Sequence, residues 1–342
     1  MTRPWLEKDD AFIPAHWMAT TLLDLVMSEQ LCSHRLLAKT GIFYEDLTRR
    51  ETILSPEKSQ RLIKNCVQYY SGNDLSFRLG QRIFPGYYGA FSRGVCSAPT
   101  VLHALELIQN FGQLISPLLV PRLKREKNYA EIRWYPAFFE SENQRFLSET
   151  YLSAVTHSIN ALCERKLPWE YDFTFKKPVD LENYELYFGG HQRFERPVTR
   201  IVLPEQFLSL PFGSASQLNY ERALSDLTAY GAARVGILSY LRDLLRRQVH
   251  LHVTLDSVSQ QLGYSCATLK RKLRNHGSSF RYLLDAVRME VAIDLVEQSG
   301  FNNGQVAEYL GYFDEANYRR SFKRWTGLNP SEYGYLSLQG IL

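Results

Sequence analysis

The apolar positions of this chain change period twice. Over Ala19 to Leu31, Ser55 to Tyr70 and Thr100 to Phe111 they recur at helical spacings, and Val101, Leu102, Leu105 and Ile108 share one side of the third stretch. Ser55 followed by Pro56 supplies a cap and a proline at the first helical position. The period then falls to two: Leu118 to Arg125 and Tyr129 to Tyr135 alternate around Glu126-Lys127-Asn128, the pattern of a β-hairpin. A long helix is expected over Arg145 to Glu164, with short strands over 172–176, 192–194 and 200–203. After a break at Gly213-Ser214-Ala215-Ser216, helical spacing returns with Leu224, Leu227, Leu238, Leu241 and Leu245, residues free to pack on either domain or on a second protomer. The expected architecture is an α+β N-terminal domain over 1–213, a linker over 214–233, and an all-α C-terminal domain over 234–342.

The C-terminal part repeats itself. Leu262-Gly263-Tyr264 recurs 48 residues later as Leu310-Gly311-Tyr312, and Val258 recurs as Val306. The register then slips by one: Leu269 and Leu273 correspond to Tyr318 and Phe322, and Lys270, Arg271 and Arg274 to Arg319, Arg320 and Lys323. Each unit reads as a short helix, a glycine turn and a second helix. Thr254 is a good cap for the first helix, and Leu255, Val258 and Leu262 give it one apolar stripe. The second helix buries Leu269 and Leu273 and turns Ala267, Lys270, Arg271 and Arg274 outward at i, i+3, i+4 and i+7, with no acidic residue from Ser265 to His276. In the other unit Tyr318, Phe322 and Trp325 form the buried stripe, Ala316, Arg319, Arg320 and Lys323 the outward one, and Asp314 is placed to cap the helix. Phe280 to Val296 reads as one helix between the units. A single basic stripe is usually a solvated face, but two at matching offsets, each behind its own turn, suit a major groove, where arginine and lysine donate to guanine O6 and N7 and to phosphate.

These residues resemble a known family. From about Gly236 to Tyr333 the chain is similar to the DNA-binding domain of AraC/XylS-type bacterial transcription regulators, through Leu262-Gly263-Tyr264-Ser265, Thr268-Leu269, Arg271, Leu273, Gly277, Phe280 and Arg288, and then through Val306-Ala307, Leu310-Gly311-Tyr312, Phe322-Lys323-Arg324-Trp325, Gly327, Pro330 and Tyr333. It departs from the pattern at Ala267 and at Gly334, where arginines are usual. The resemblance implies a seven-helix domain with two helix-turn-helix units whose recognition helices enter successive major-groove segments, about 34 Å apart. The implied contact residues are Ala267, Thr268, Lys270, Arg271 and Arg274, and Glu315, Ala316, Arg319, Arg320 and Lys323. Ser97-Ala98-Pro99-Thr100-Val101, Tyr184, Phe188-Gly189 and Val202-Leu203-Pro204 resemble the arabinose-binding-type sensor domain of one branch of that family. That resemblance implies a transcription regulator, an activator, with duplex DNA, RNA polymerase and a small-molecule effector as partners and a homodimer as an open arrangement. The alternative is a regulator without an effector, whose first domain oligomerises or contacts polymerase.

Composition adds little: Lys+Arg 40 against Asp+Glu 36 leaves a net charge of +4, so the relevant charge is local. Five scattered cysteines without a Cys-x-x-Cys pair fit reduced thiols in the cytoplasm, near the nucleoid, rather than a zinc site or disulfide framework, and His250 and His252 are not spaced as a ligand pair. No cofactor, metal, catalytic residue, membrane segment or signal peptide is expected. A DNA-repair alkyltransferase built on such a domain would need an activated cysteine beside a proton acceptor, and none of the five has that setting. Tyr87, Tyr88, Phe91 and Arg93, set among Gly86, Gly89 and Gly94, are the candidate effector-binding residues, since an arginine among aromatics can hold a carboxylate.

Overall fold

The computed structural model describes residues 3–28, 32–47, 49, 51–86, 88–139, 143–229, 234–297 and 301–338. In chain order the elements are β1 (Trp5–Leu6), β2 (Ile13–Pro14), α1 (Met18–Met27), α2 (Ser33–Leu36), α3 (Tyr44–Leu47), β3 (Ile53–Leu54), α4 (Pro56–Tyr69), α5 (Leu75–Ile83), α6 (Ala90–Ser97) and α7 (Val101–Phe111). They continue with β4 (Leu119–Arg125), β5 (Tyr129–Pro136), α8 (Gln144–Leu162), β6 (Glu170–Asp172), α9 (Leu181–Phe188), β7 (Gln192–Arg193), β8 (Arg200–Pro204), α10 (Gln217–Ala229) and β9 (Val235–Gly236). Among the described residues seven helices follow: α11 (Ile237–Gln248), α12 (Leu255–Gln261), α13 (Cys266–Asn275), α14 (Phe280–Glu297), α15 (Asn303–Tyr309), α16 (Glu315–Thr326) and α17 (Pro330–Leu338). Two compact units result, Met1–Gly236 and Ile237–Leu342, the first α+β and the second all-α.

Five strands of the first unit form a sheet in the order β4-β5-β8-β6-β7, antiparallel except for the β6–β7 pair. The expected hairpin is β4–β5, pairing Leu119 with Pro136 through to Arg125 with Ala130. Alternation along β5 sets Ala130 and Ile132 beside Leu203 and Ile201, while Glu131 and Arg133 fall on the other face with Lys124 and Arg200. That second face is also buried, and its charges are paired: Arg200 donates to Asp172 and Glu131, both at 2.6 Å, and Arg133 lies 2.5 Å from Glu131. Burial alone would push the Glu131 carboxyl up, but Arg133, Arg200 and Lys124 outweigh it and hold the group below its ordinary value. The resulting stabilisation is complete above the ordinary pH of about 4.5 and is lost as pH falls through the lower folded-state value. Glu131→Gln should therefore destabilise this unit at neutral pH and flatten the acid limb of its unfolding curve; an unchanged acid limb, followed by circular dichroism, would show that the carboxylate does not matter.

The third expected strand is displaced. Strand pairing is registered only to Asp172; the Phe173 amide still donates to the Arg193 carbonyl at 2.9 Å, and its ring joins an aromatic cluster with Tyr184, Phe188 and Phe194 at centroid distances of 5.3–5.8 Å. Within the expected linker, residues 217–229 form α10, in keeping with the helical spacing of Leu224 and Leu227. Ser216 donates to the carbonyl of Ser97 at 3.0 Å, α10 packs on α6, and Tyr220, Ala223 and Leu227 are buried. Strand β9 pairs in parallel with β1, so the last residues of this unit are held by its first.

Candidate nucleic-acid interface

Each half of the second unit is assembled by local rules. Thr254 accepts from the Ser257 amide and Asn302 from the Gln305 amide, and in both cases the side chain three residues on returns a bond to the cap backbone, a capping box. Helices α12 and α15 then end in the same motif. Gly263 and Tyr264 donate their amides to Gln260 and Ser259, and Gly311 and Tyr312 donate theirs to Glu308 and Ala307, which satisfies the last carbonyls through a left-handed glycine. The φ angles are +71° at Gly263 and +69° at Gly311. Helices α13 and α16 start from Ser265 and Asp314, whose side chains accept from the Thr268 and Asn317 amides.

A β-carbon at Gly263 would meet nothing within 4 Å, and one at Gly311 would come no closer than 3.5 Å, to His252 Nδ1. Alanine at either position thus pays only for the left-handed backbone, about 1–2 kcal/mol. Gly263→Ala and Gly311→Ala should lower the thermal midpoint by similar amounts, and a markedly larger loss at Gly311 would reveal steric crowding around His252.

Most of the apolar stripes is buried, Val258, Leu269 and Leu273 in one unit and Val306, Leu310, Tyr318 and Phe322 in the other, whereas Leu255 and Leu262 of the expected first stripe are half-buried. Trp325, expected in the second stripe, is half-buried and meets Tyr312 edge-on at 6.5 Å. The tyrosine of each turn is held by a cation over its ring, Lys272 at 5.4 Å from the Tyr264 centroid and Arg288 at 5.2 Å from that of Tyr312. Burial raises the hydroxyl pKa of both Tyr312 and Tyr318, so they are neutral at physiological pH.

The opposite faces are open. Ala267, Lys270, Arg271 and Arg274 on α13, and Glu315, Ala316, Arg319, Arg320 and Lys323 on α16, are all exposed, with Thr268 half-buried. Arg320 donates to Asn317 at 2.6 Å and Arg319 stands 4.0 Å from Glu315, whereas no carboxylate among the described residues pairs with Lys270, Arg271 or Arg274. A buried ion-pair system that the periodicity had not revealed braces α14: Arg242 on α11 donates to Glu290, and Arg246 bridges Glu290 and Asp294. The signal available was the i, i+4 spacing of Arg242 and Arg246 and of Glu290 and Asp294 within two apolar helices.

The described candidate effector residues, Tyr88, Phe91 and Arg93, do not converge on one site. Tyr87 lies outside the described residues; Phe91 is buried in the core; Arg93 is exposed and pairs with Asp226 on α10 at 2.9 Å. Gly94 serves packing, because a β-carbon there would meet Leu107 at 2.5 Å and Ala223 at 3.3 Å. Tyr88 meets Trp17 edge-on and lines an internal cavity of about 20 Å³ with Tyr151, Ser116 and Trp134, room for roughly one water. An open cleft of about 370 Å³ lies elsewhere, between α2 and α3, lined by Leu37, Ile42, Phe43 and Tyr44 with His34 and Lys39. Among the described residues no group of three His, Cys, Asp or Glu side chains could hold a metal ion, and no helix is long and apolar enough to cross a membrane.

Two helix-turn-helix units with outward basic helices, joined by one helix and preceded by an α+β unit, define a DNA-binding regulator with a separate sensor domain. Residues 32–212 match the family described as the arabinose-binding domain of AraC transcription regulator, N-term, and residues 258–334 match a helix-turn-helix domain family. The chain belongs to the AraC family of transcription regulators. It is 25% identical over 320 residues to the ornithine utilization regulator of Pseudomonas aeruginosa, covering 92% of this chain and 94% of that one. The transcriptional regulator VqsM of the same organism is 24% identical over 280 residues, 77% of this chain and 84% of its own. Among solved structures, the regulator CdpR of P. aeruginosa aligns over 93% of this chain and 98% of its own at a TM-score of 0.43 and 21% identity.

Proposed function

We propose that the protein is a sequence-specific activator that reads a bipartite operator through α13 and α16, with Ala267, Thr268, Lys270, Arg271 and Arg274 on one half-site and Glu315, Ala316, Arg319, Arg320 and Lys323 on the other. The observation that carries this is the duplicated cap, turn and exposed basic stripe within one unit. On this reading RNA polymerase is the downstream partner, and a small molecule taken up by the first unit tunes DNA binding. The open cleft lined by Phe43 and Tyr44 has the volume of a small-ligand site. A second reading, regulation without an effector, is favoured by the nearly filled interior around Tyr88 and Tyr151, which leaves space for about one water. In that case the first unit would serve self-association or polymerase contact.

The test is genome-wide mapping of bound DNA, then titration of a recovered site with purified full-length protein at several salt concentrations. A shared bipartite site is expected, with affinity falling steeply as salt rises and the slope of log K against log salt shrinking by about one for each phosphate-contacting cation removed. Absence of any preferred site, with the isolated second unit as well, would sink the reading. A site bound equally by the full chain in extract and after exhaustive dialysis would favour the effector-free version.

A further inference from the structure

The slip from a 48- to a 49-residue offset has a structural origin. In the first unit Tyr264 is followed at once by the cap Ser265; in the second, Phe313 stands between Tyr312 and the cap Asp314. This extra residue is 97% exposed, although its neighbours on both sides are fixed. Tyr312 lies under Arg288 and against Tyr318, and the Asp314 carboxylate is taken up by the amide and side chain of Asn317 at 2.6 and 2.9 Å. The ring is therefore held on an ordered backbone at the N-terminal end of α16, the end from which helix-turn-helix proteins reach base edges. The adjacent carboxylates of Asp314 and Glu315 disfavour a phosphate neighbour, while the 5-methyl of thymine is the apolar group that a base edge offers in the major groove.

Resting on the DNA-reading function above, we propose that Phe313 is a specificity-determining residue that packs on a thymine methyl in the half-site read by α16. The first unit, lacking the insertion, has no equivalent contact. The experiment replaces each thymine of a recovered operator in turn by deoxyuridine, which removes only the methyl, and measures binding of the full-length wild type and Phe313→Ala. For the wild type, one uracil in the half-site protected by Arg319 and Arg320 should weaken binding about fourfold, the scale of one buried methyl. Phe313→Ala should bind the unmodified site more weakly, by about tenfold, and be indifferent to that uracil; Phe313→Leu should recover part of the sensitivity. Because the side chain is exposed, unchanged thermal unfolding of the variants is the expected control result. If Phe313→Ala binds as tightly as the wild type, or if the uracil effect survives in the variant, the proposal falls while the regulator reading stands. Normal duplex binding with activation lost only when polymerase is present would likewise overturn it and point to a protein partner. A wild type without any preferred duplex would remove both.

Discussion

Glu290→Ala should cost the second unit about 3–5 kcal/mol, the largest single loss expected in that unit from a polar substitution. Glu290 and Arg242 are 2% and 7% exposed, and the guanidinium donates to the carboxylate across the α11–α14 contact. Removing the acid takes away the carboxylate that the Arg242 guanidinium donates to and weakens the offset of its desolvation. Asp294, the neighbouring acid on α14, is already engaged by Arg246. For a unit of this size the loss corresponds to a drop of at least ~10 °C in thermal midpoint. Double replacement by Arg242→Met and Glu290→Leu should restore most of the stability, because a buried pair is worth little more than well-packed apolar groups of its size. Calorimetry of these variants beside the exposed control Glu308→Ala decides the matter: equal midpoints for Glu290→Ala and Glu308→Ala would mean that the pair does not brace the helices.

This pair also marks the boundary of what a one-dimensional reading supplies. The caps at Thr254 and Asp314, the turns at Gly263 and Gly311, and the buried stripes of α13 and α16 are local, set by residues within one or two turns of each other, so spacing exposes them. Arg242 and Glu290 are 48 residues apart, and a charge in an amphipathic helix reads as solvated unless the packing partner is known. The same blindness misplaced Arg93, whose partner Asp226 lies on a helix 133 residues further along the chain. Gly94 stood among the candidate effector residues without a role of its own, because only the approach of α7 and α10 reveals why a side chain is excluded there. The Gly-Ser stretch at 213–216 marked a real break in periodicity, but the Ser216 amide and the Ser214 hydroxyl donate to the carbonyls of Ser97 and Cys96 at the end of α6, which makes it a docked corner rather than a free tether. The offset slip was legible as a fact and illegible as a cause until Phe313 was located between the turn and the cap.

Arg271→Ala should weaken operator binding by about 5- to 150-fold, ~1 to 3 kcal/mol, and relax base preference within one half-site only. The basis is position. Arg271 is exposed on α13 between Lys270 and Arg274, and no described carboxylate competes for it, so its full donor fork is free to meet a guanine edge. On the proposed reading its neighbours serve as the phosphate contacts that set the register of the helix in the groove. Arg320 starts from a different state, because its guanidinium already donates to Asn317 at 2.6 Å within α16. That bond pre-orders the side chain, and Arg320→Ala should act on the opposite half-site. Footprints and salt titrations separate the roles. A base-reading arginine, once removed, erases discrimination at its position and leaves the salt slope nearly unchanged, whereas a phosphate anchor weakens cognate and random duplexes alike and lowers the slope by about one. Identical footprints for Arg271→Ala and Arg320→Ala would contradict two independent readers, since helices in separate groove segments cannot lose the same base pairs.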